Sequence, residues 1–177
     1  MSGLVGELVR LRARHESDVA VLTTELYDDV ENTARAARNP WRPISPAADA
    51  GPFRVPDRVE PPRFSVVELA SDELAGSAML WGVDRHNRVA HLGLGLRPAF
   101  RGKGLGTDIV RVLCHYGFAV LGLHRLQVDT LSDNHGMIRA AERAGFVHEG
   151  VVREAAWIGG GFGDEVALGL LAQEWAG

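Results

Sequence analysis

The chain has a single cysteine, Cys114, and a lone cysteine cannot close an intrachain disulfide. A disulfide-stapled secreted fold is therefore excluded, and a reducing compartment is the expected setting. Basic residues are not in excess: 19 Lys and Arg stand against 23 Asp and Glu, a formal net charge of −4. Proteins that work mainly on the phosphate backbone of nucleic acid show the opposite imbalance, so that class is set aside. No apolar run is long enough to cross a bilayer, and Glu7 and Arg10 stand where an apolar signal core would lie. These absences predict a cytoplasmic protein. Metal-ligand spacing is missing too. The histidines (His15, His86, His91, His115, His124, His135 and His148) form no HxxxH pair, and there is no CxxC, so no metal site is expected.

What is present is ordinary core material. Apolar residues make up 46% of 177 residues, enough for one domain spanning 1–177 with a single core. Leu8 to Leu11 reads as a short strand. A helix capped at Ser17-Asp18 is expected to run to about Arg38, where Asn39-Pro40 stops it. Seven prolines then fall between Pro40 and Pro62, which excludes a regular helix or central strand and predicts a long loop from Trp41 to Pro62. Phe64–Leu69, Leu74–Val83 and Val89–Leu96 read as an antiparallel meander. A helix from Leu105 places Ile109, Val112, Leu113, Tyr116 and Val120 on one face, and Gly122 closes it. His124–Leu131 is a strand, and Asn134 caps a helix that ends at Ala144-Gly145. Phe146–Arg153 and Val166–Leu171 are the last strands, with a Gly159-Gly160-Gly161 turn between them. The order β-α-βββ-α-β-α-ββ predicts an α+β (α/β) fold, a mixed sheet with helices on both faces.

The informative segment is the loop Arg101-Gly102-Lys103-Gly104-Leu105-Gly106-Thr107 between a strand and a helix. A helix N-terminus exposes amides without intrahelical partners, and the macrodipole adds partial positive charge. Glycines there permit positive φ and close approach, so the segment predicts a phosphate or pyrophosphate cradle. Arg97, Arg101 and Lys103 add charge around it. Two better-known phosphate loops do not fit. A P-loop requires Lys after its last glycine, and Gly106 is followed by Thr107 and Asp108. A dinucleotide fingerprint requires a third glycine where Gly93-Leu94-Gly95-Leu96-Arg97-Pro98 has proline. A glycine-rich connector without a ligand fits the loop taken alone.

Arg101-x-x-Gly104-x-Gly106 resembles the (Q/R)xxGx(G/A) motif of the GNAT superfamily, the Gcn5-related N-acetyltransferases. The strand ending at Leu96-Arg97-Pro98, the amphipathic helix after the loop, and Asn134 followed by a helix ending in Ala144-Gly145-Phe146 agree with it. Leu8-Val9-Arg10-Leu11-Arg12 at the start is similar to the ribosomal-protein alanine N-acetyltransferase branch. So are Glu149–Glu154, Asp164-Glu165-Val166 and Glu174-Trp175 near the end. The resemblance spans nearly the whole chain and is weakest from Trp41 to Arg63. It implies a splayed, mostly antiparallel sheet and acetyl-CoA as acyl donor. The pantetheine arm would lie between the strands Val89–Leu96 and His124–Leu131. Backbone at Leu94, Gly95 and Leu96 would pair with the arm, amides from Gly102 to Thr107 would hold the pyrophosphate, and Asn134 would bond or shape the cleft. The partner would be an amine, either a protein N-terminus or a small molecule, and a homodimer is among the assemblies it allows.

The resemblance also locates a departure. Many members carry a proton-donating Tyr where this chain has Ala141, whose Cβ is expected to point toward the thioester sulfur. The alternative hydroxyl position of the ribosomal-protein branch is Met137. Neither can donate, which leaves water as the acid, unassisted thiolate departure, or a catalytically weak CoA-binding regulatory module as the competing function. For the base, His91 lies on the cleft strand at the parity of Gly93 and Gly95, and histidine is the side chain whose unperturbed pKa lies near neutrality. A half-exposed strand histidine without a catalytic part fits the same position. Glu68 and Glu154 are reserve bases by strand location, and His124 and His135 flank the cleft. Trp41 and Trp81 are candidate pocket walls or core residues. Cys114 reads as a small buried side chain.

Overall fold

The computed structural model describes residues 4–37, 40–44, 51–55 and 62–177. Two short strands open the chain, β1 (Leu4–Val5) and β2 (Val9–Arg12), and helices α1 (Glu16–Leu22) and α2 (Val30–Ala36) follow. The meander is β3 (Arg63–Glu68), β4 (Leu74–Asp84) and β5 (Val89–Leu96). Helix α3 (Leu105–His115), β6 (Arg125–Leu131), α4 (His135–Arg143), β7 (Val147–Ile158) and β8 (Gly161–Leu171) complete the order. All eight strands form one sheet in the order β1-β2-β3-β4-β5-β6-β8-β7. Every adjacent pair is antiparallel except β5 and β6. The expected mixed, mostly antiparallel sheet is therefore present. Among the described residues no helix is long and apolar enough to cross a membrane.

Strand alternation divides the sheet into two faces. Ala90 and Leu92 of β5 and Leu126 and Val128 of β6 point into a core closed by Leu105, Ile109, Val112 and Leu113 of α3 and by Ala140 and Ala141 of α4. His91, Gly93 and Gly95 point the other way. On that side Leu26, from the wide helical turn that continues α1, would lie 3.4 Å from a Cβ at Gly95. Helices therefore lie on both faces, and Arg35 of α2 reaches Asp133, in the loop after β6, at 2.5 Å.

Several local expectations are corrected. The first helix is not continuous: a wide turn, Thr23–Tyr27, widens it, and it breaks before Asp29, whose side chain accepts from the Asn32 amide at 3.0 Å and starts α2. Its N-cap is His15 rather than Ser17-Asp18. Asp18 instead sits one turn in, reaches back to the His15 amide at 2.8 Å, and pairs with Arg12 at 2.6 Å and with the Ser65 hydroxyl at 2.7 Å. Burial pushes its carboxyl up, but these donors more than offset that and hold it well below the usual carboxylate range. Arg14 beside it is lowered to about 10, by burial first and by Arg63 second. This buried polar cluster docks α1 on the sheet, a contact that apolar periodicity does not reveal.

The closing hairpin is longer than expected. β7 runs to Ile158 and β8 starts at Gly161, so the two strands extend as one ribbon beyond the end of β6. The two-residue turn has positive φ at both Gly159 (60°) and Gly160 (88°), the geometry that suits the twist of a tight hairpin. Of the proline-rich stretch, residues 45–50 and 56–61 lie outside the described residues, as does the expected helix end at Arg38.

Candidate active site

The one parallel pairing is short. β5 and β6 are in register only at Val89–Arg125, Ala90–Leu126 and His91–Gln127. Beyond that point β5 stays paired with β4 as far as Leu96, and β6 stays paired with β8 as far as Leu131. The two halves of the sheet therefore separate after His91, and Leu92–Leu96 has no β6 partner on that edge. An unpaired strand edge offers amides and carbonyls for an extended ligand arm. Leu94 and Gly95 lie on this edge, as the sequence reading requires. The Leu96 carbonyl is already engaged, accepting from Arg101 Nε at 2.9 Å.

The glycine loop follows directly. Pro98–Phe100 form one tight turn, and α3 starts at Leu105 behind an N-cap at Gly104 with φ 82°. Gly102 also has positive φ, 74°. A Cβ at Gly102 would meet nothing within 4 Å, and one at Gly104 would approach only Leu8, at 3.7 Å. The loop thus has open space above its backbone and a helix N-terminus of eleven residues behind it. Leu105, Gly106 and Thr107 form the first turn, and the Thr107 amide turns back to the Gly104 carbonyl at 3.2 Å. This arrangement fits a pyrophosphate. The charge around it is less free than the sequence implies. Arg97 makes a two-pronged ion pair with Glu25 of the Thr23–Tyr27 turn, at 2.9 and 2.6 Å, and its guanidinium lies 5.3 Å over the Phe100 ring. Lys103 lies 3.7 Å from Glu68 and 4.9 Å above the Phe100 ring.

One residue holds the helix behind the loop in place and has no signature in the sequence. Asp108 is buried, and its carboxylate accepts from the amides of Glu7 (3.1 Å), Leu8 (2.7 Å) and Val9 (2.9 Å). A Cβ at Gly6 would sit 2.4 Å from that carboxylate, so only glycine fits the β1–β2 turn there.

On the opposite face, His91 stands where the sheet opens. Its Nδ1 is 2.6 Å from Asp129 Oδ2, across the split on β6. Trp81, directly across the β4–β5 pair, stacks on the imidazole with centroids 4.3 Å apart and planes at 23°. Its indole also lies over Gly93, where a Cβ would be 3.5 Å from it. Trp81 thus packs on His91 and lies outside the buried core. From Asp129 a hydrogen-bonded row continues along β6. Gln127 Nε2 donates to Asp129 Oδ1 at 2.8 Å, Arg125 donates to Gln127 Oε1 at 3.1 Å, and Arg125 pairs with Glu149 of β7. Asp129, Gln127 and Arg125 went unnoticed in the sequence. The available signal was their alternation with Leu126 and Val128, which puts three polar side chains on the face that His91 occupies.

The remaining candidates are placed as follows. Asn134 caps α4, accepting from the Met137 amide at 3.3 Å and donating to Thr130 Oγ1 at 2.8 Å, so it shapes the loop after β6. Ala141 has no accessible surface and packs in the core, so its Cβ does not face an open cleft. Met137 packs against the same core. Glu68 lies beside Lys103, away from His91. Glu154 is exposed on a bulge of β7 with φ 51°. His124 and His135 are exposed. Trp41 lies 6.3 Å from the Tyr27 ring. Cys114 is fully buried, and burial pushes its thiol up to about 12. Among the described residues no group of three or more His, Cys, Asp or Glu is placed to hold a metal ion.

Comparison with known proteins agrees with this geometry. Two Bacillus subtilis proteins, the probable N-acetyltransferase YjcK and the putative ribosomal N-acetyltransferase YdaF, are each 34% identical over 109 residues. Those matches cover 61% and 62% of this chain and 60% of each relative, so they span less than two thirds of either relative's length. The crystal structure of a Vibrio cholerae spermidine N-acetyltransferase with CoA and spermine superposes with a TM-score of 0.83 at 22% identity, covering 96% of this chain and 99% of that one. That likeness establishes the fold. The family model described as the acetyltransferase (GNAT) domain matches residues 9–147, from the start of β2 to the start of β7, and the chain belongs to that family.

Proposed function

We propose that the protein is an acetyl-CoA-dependent N-acetyltransferase that moves the acetyl group directly to a primary amine, with His91 as the base. The observation that carries this reading is the position of the His91 imidazole at the point where β5 and β6 part, 2.6 Å from Asp129 and beside the unpaired edge of β5. When bound, acetyl-CoA supplies the activated thioester. The loop from Gly102 to Thr107 would hold its pyrophosphate, and the edge at Leu94 and Gly95 would align its arm. Transfer forms one N–C bond and breaks one C–S bond. His91 takes the proton that the amine gives up, and the thiolate takes one from water, because Ala141 and Met137 carry no hydroxyl.

The relatives and the chemistry support two acceptor classes. One relative is named a putative ribosomal acetyltransferase and a structural neighbour was solved with spermine. The likeness to the ribosomal-protein alanine branch favours a protein N-terminus, and the polyamine neighbours favour a small polyamine. Both are primary amines. A panel of N-terminal peptides and polyamines, read by mass spectrometry alongside thiol release, tests the reading. One acceptor class turned over and acetylated at its primary amine supports it. Saturable acetyl-CoA binding with no turnover on any amine would favour a CoA-binding module, the reading that the missing hydroxyl at Ala141 supports.

A further inference from the structure

A neutral imidazole has one basic nitrogen, and which one it is depends on where the single ring proton sits. We propose that Asp129, itself aimed by Gln127 and Arg125, is a positioning residue. It fixes His91 as the Nδ1–H tautomer and leaves the Nε2 lone pair to take the acceptor amine's proton. The proposal rests on the reading of His91 as the base.

The direction of every hydrogen bond in the row can be worked out from its far end. Arg125 has only donors. It is held by Glu149, with NH1 2.7 Å from Oε1, and its NH2 lies 3.1 Å from Gln127 Oε1. A guanidinium demands the oxygen of the Gln127 amide, so the amide nitrogen must face Asp129, where it donates to Oδ1 at 2.8 Å. Asp129 thus accepts on Oδ1 and presents Oδ2 to His91 at 2.6 Å. A carboxylate only accepts, so Nδ1 of His91 carries the proton and Nε2 is free to act as base.

The surroundings serve the same geometry. Arg125, Gln127 and Asp129 stand at alternate positions of one strand, so the row needs no loop to align it. A Cβ at Gly169 would lie 2.4 Å from Glu149 and 2.7 Å from Arg125, so glycine at that position of β8 gives their ion pair its place. Trp81 fixes the ring plane by stacking. At Gly82, a Cβ would be 3.1 Å from His91 Cδ2 and 3.8 Å from Nε2, so the lack of a side chain keeps the basic edge clear.

The test reads the tautomer and the turnover separately. Side-chain nitrogen NMR of the full chain labelled with 15N-histidine, with His91 assigned through His91→Gln, should show a protonated Nδ1 and a pyridine-like Nε2. In Asp129→Asn, Gln127 still claims the side-chain oxygen, so the new amide faces His91 with its NH2 group. The imidazole should switch to the Nε2–H form, and kcat should fall roughly 10²- to 10⁴-fold while acetyl-CoA affinity stays within a few-fold. Adding Gln127→Met frees the asparagine to turn its oxygen toward His91. The double variant should regain the Nδ1–H form and at least several-fold of the lost turnover, which a merely structural role for Asp129 would not produce. A parent His91 protonated at Nε2, or an Asp129→Asn protein that keeps the parent tautomer, overturns the proposal. So does a double variant with no recovery. A switched tautomer with undiminished turnover removes Asp129 from the reaction. A fully active His91→Gln would then trace that failure to the base assignment rather than to the hydrogen-bonded row.

Discussion

The two walls of the split are made of different material. The proposed cofactor wall is backbone: an unpaired strand edge, two glycines with positive φ, and the first turn of α3. The proposed acceptor wall is side chain: His91, Trp81, Asp129, Gln127, Arg125 and Glu149, drawn from four strands. A backbone site recognises what all its ligands share, here a phosphate and an extended arm, and tolerates change in neighbouring side chains. A side-chain site can be retuned one residue at a time.

The sharpest way to break the comparison is a side chain placed on the backbone wall. Gly104 caps α3 with φ 82°, and a Cβ there would meet only Leu8, at 3.7 Å. Gly104→Asp should abolish saturable acetyl-CoA binding in calorimetry, because it sets negative charge where the pyrophosphate would sit. Gly104→Asn, which tolerates the left-handed backbone and carries no charge, separates conformation from electrostatics and should bind better than the aspartate variant. Parent-like binding by Gly104→Asp would remove this loop from the cofactor wall. Hydrogen exchange at residues 101–107 gives an independent reading, since bound cofactor should slow it.

The complementary change on the acceptor wall is His91→Gln. It keeps polarity and approximate size and removes the titrating group. kcat/KM should fall roughly 10²- to 10⁴-fold, with acetyl-CoA affinity within a few-fold of the parent. A loss confined to cofactor affinity would mean that the walls are not separable at this residue.

A smaller effect is expected where the backbone wall depends on a side chain. Asp108 on α3 accepts three backbone amides from the β1–β2 turn. Asparagine presents one acceptor and two donors there, so at least one buried amide faces another N–H. Asp108→Asn should cost about 2–3 kcal/mol in urea denaturation, the scale of a lost hydrogen bond to a charged group. It should weaken cofactor binding only through that loss. A change below about 0.5 kcal/mol would show that α3 is positioned by apolar packing alone.

The same division explains what the sequence reveals. Glycine spacing, the capping Asn134 and the strand–loop–helix order are local patterns, and the loop, α3, α4 and the order of the meander are legible from them. The acceptor wall is not local. His91 and Asp129 are 38 positions apart, and Arg125 and Glu149 are 24 apart. Nothing in either stretch signals that the parallel ladder stops between them. The break at Asp28 and Asp29 was hidden for another reason: helical composition persists on both sides of it, and only the Asp29 cap marks the restart. The Ala141 side chain, expected at the sulfur, lies in the core because a methyl group is small enough to be enclosed there. Ribbon length in β7 and β8 escaped because β7 is exposed along nearly its whole length and lacks the alternation that marks a half-buried strand.

The smallest expected effect sharpens the comparison most finely, because it concerns a side chain on the backbone wall. Lys103 lies inside the glycine loop and is the residue that a charge-based reading would put first. Its side chain is 50% exposed, 3.7 Å from Glu68, and over the Phe100 ring. An exposed lysine shares its charge with water and with that carboxylate, so its pull on a pyrophosphate is on the scale of a surface ion pair, about 0.2–1 kcal/mol. Lys103→Met keeps the aliphatic stem over Phe100 and removes the charge. Acetyl-CoA Kd should rise no more than about five-fold at low salt. The difference from the parent should shrink as ionic strength approaches 1 M, where screening acts within about 3 Å. If amides and helix N-terminus do the holding, most of the affinity survives both changes. A rise of about fifty-fold or more, persisting at high salt, would instead assign the pyrophosphate to the lysine and make the cofactor wall, like its opposite, a wall of side chains.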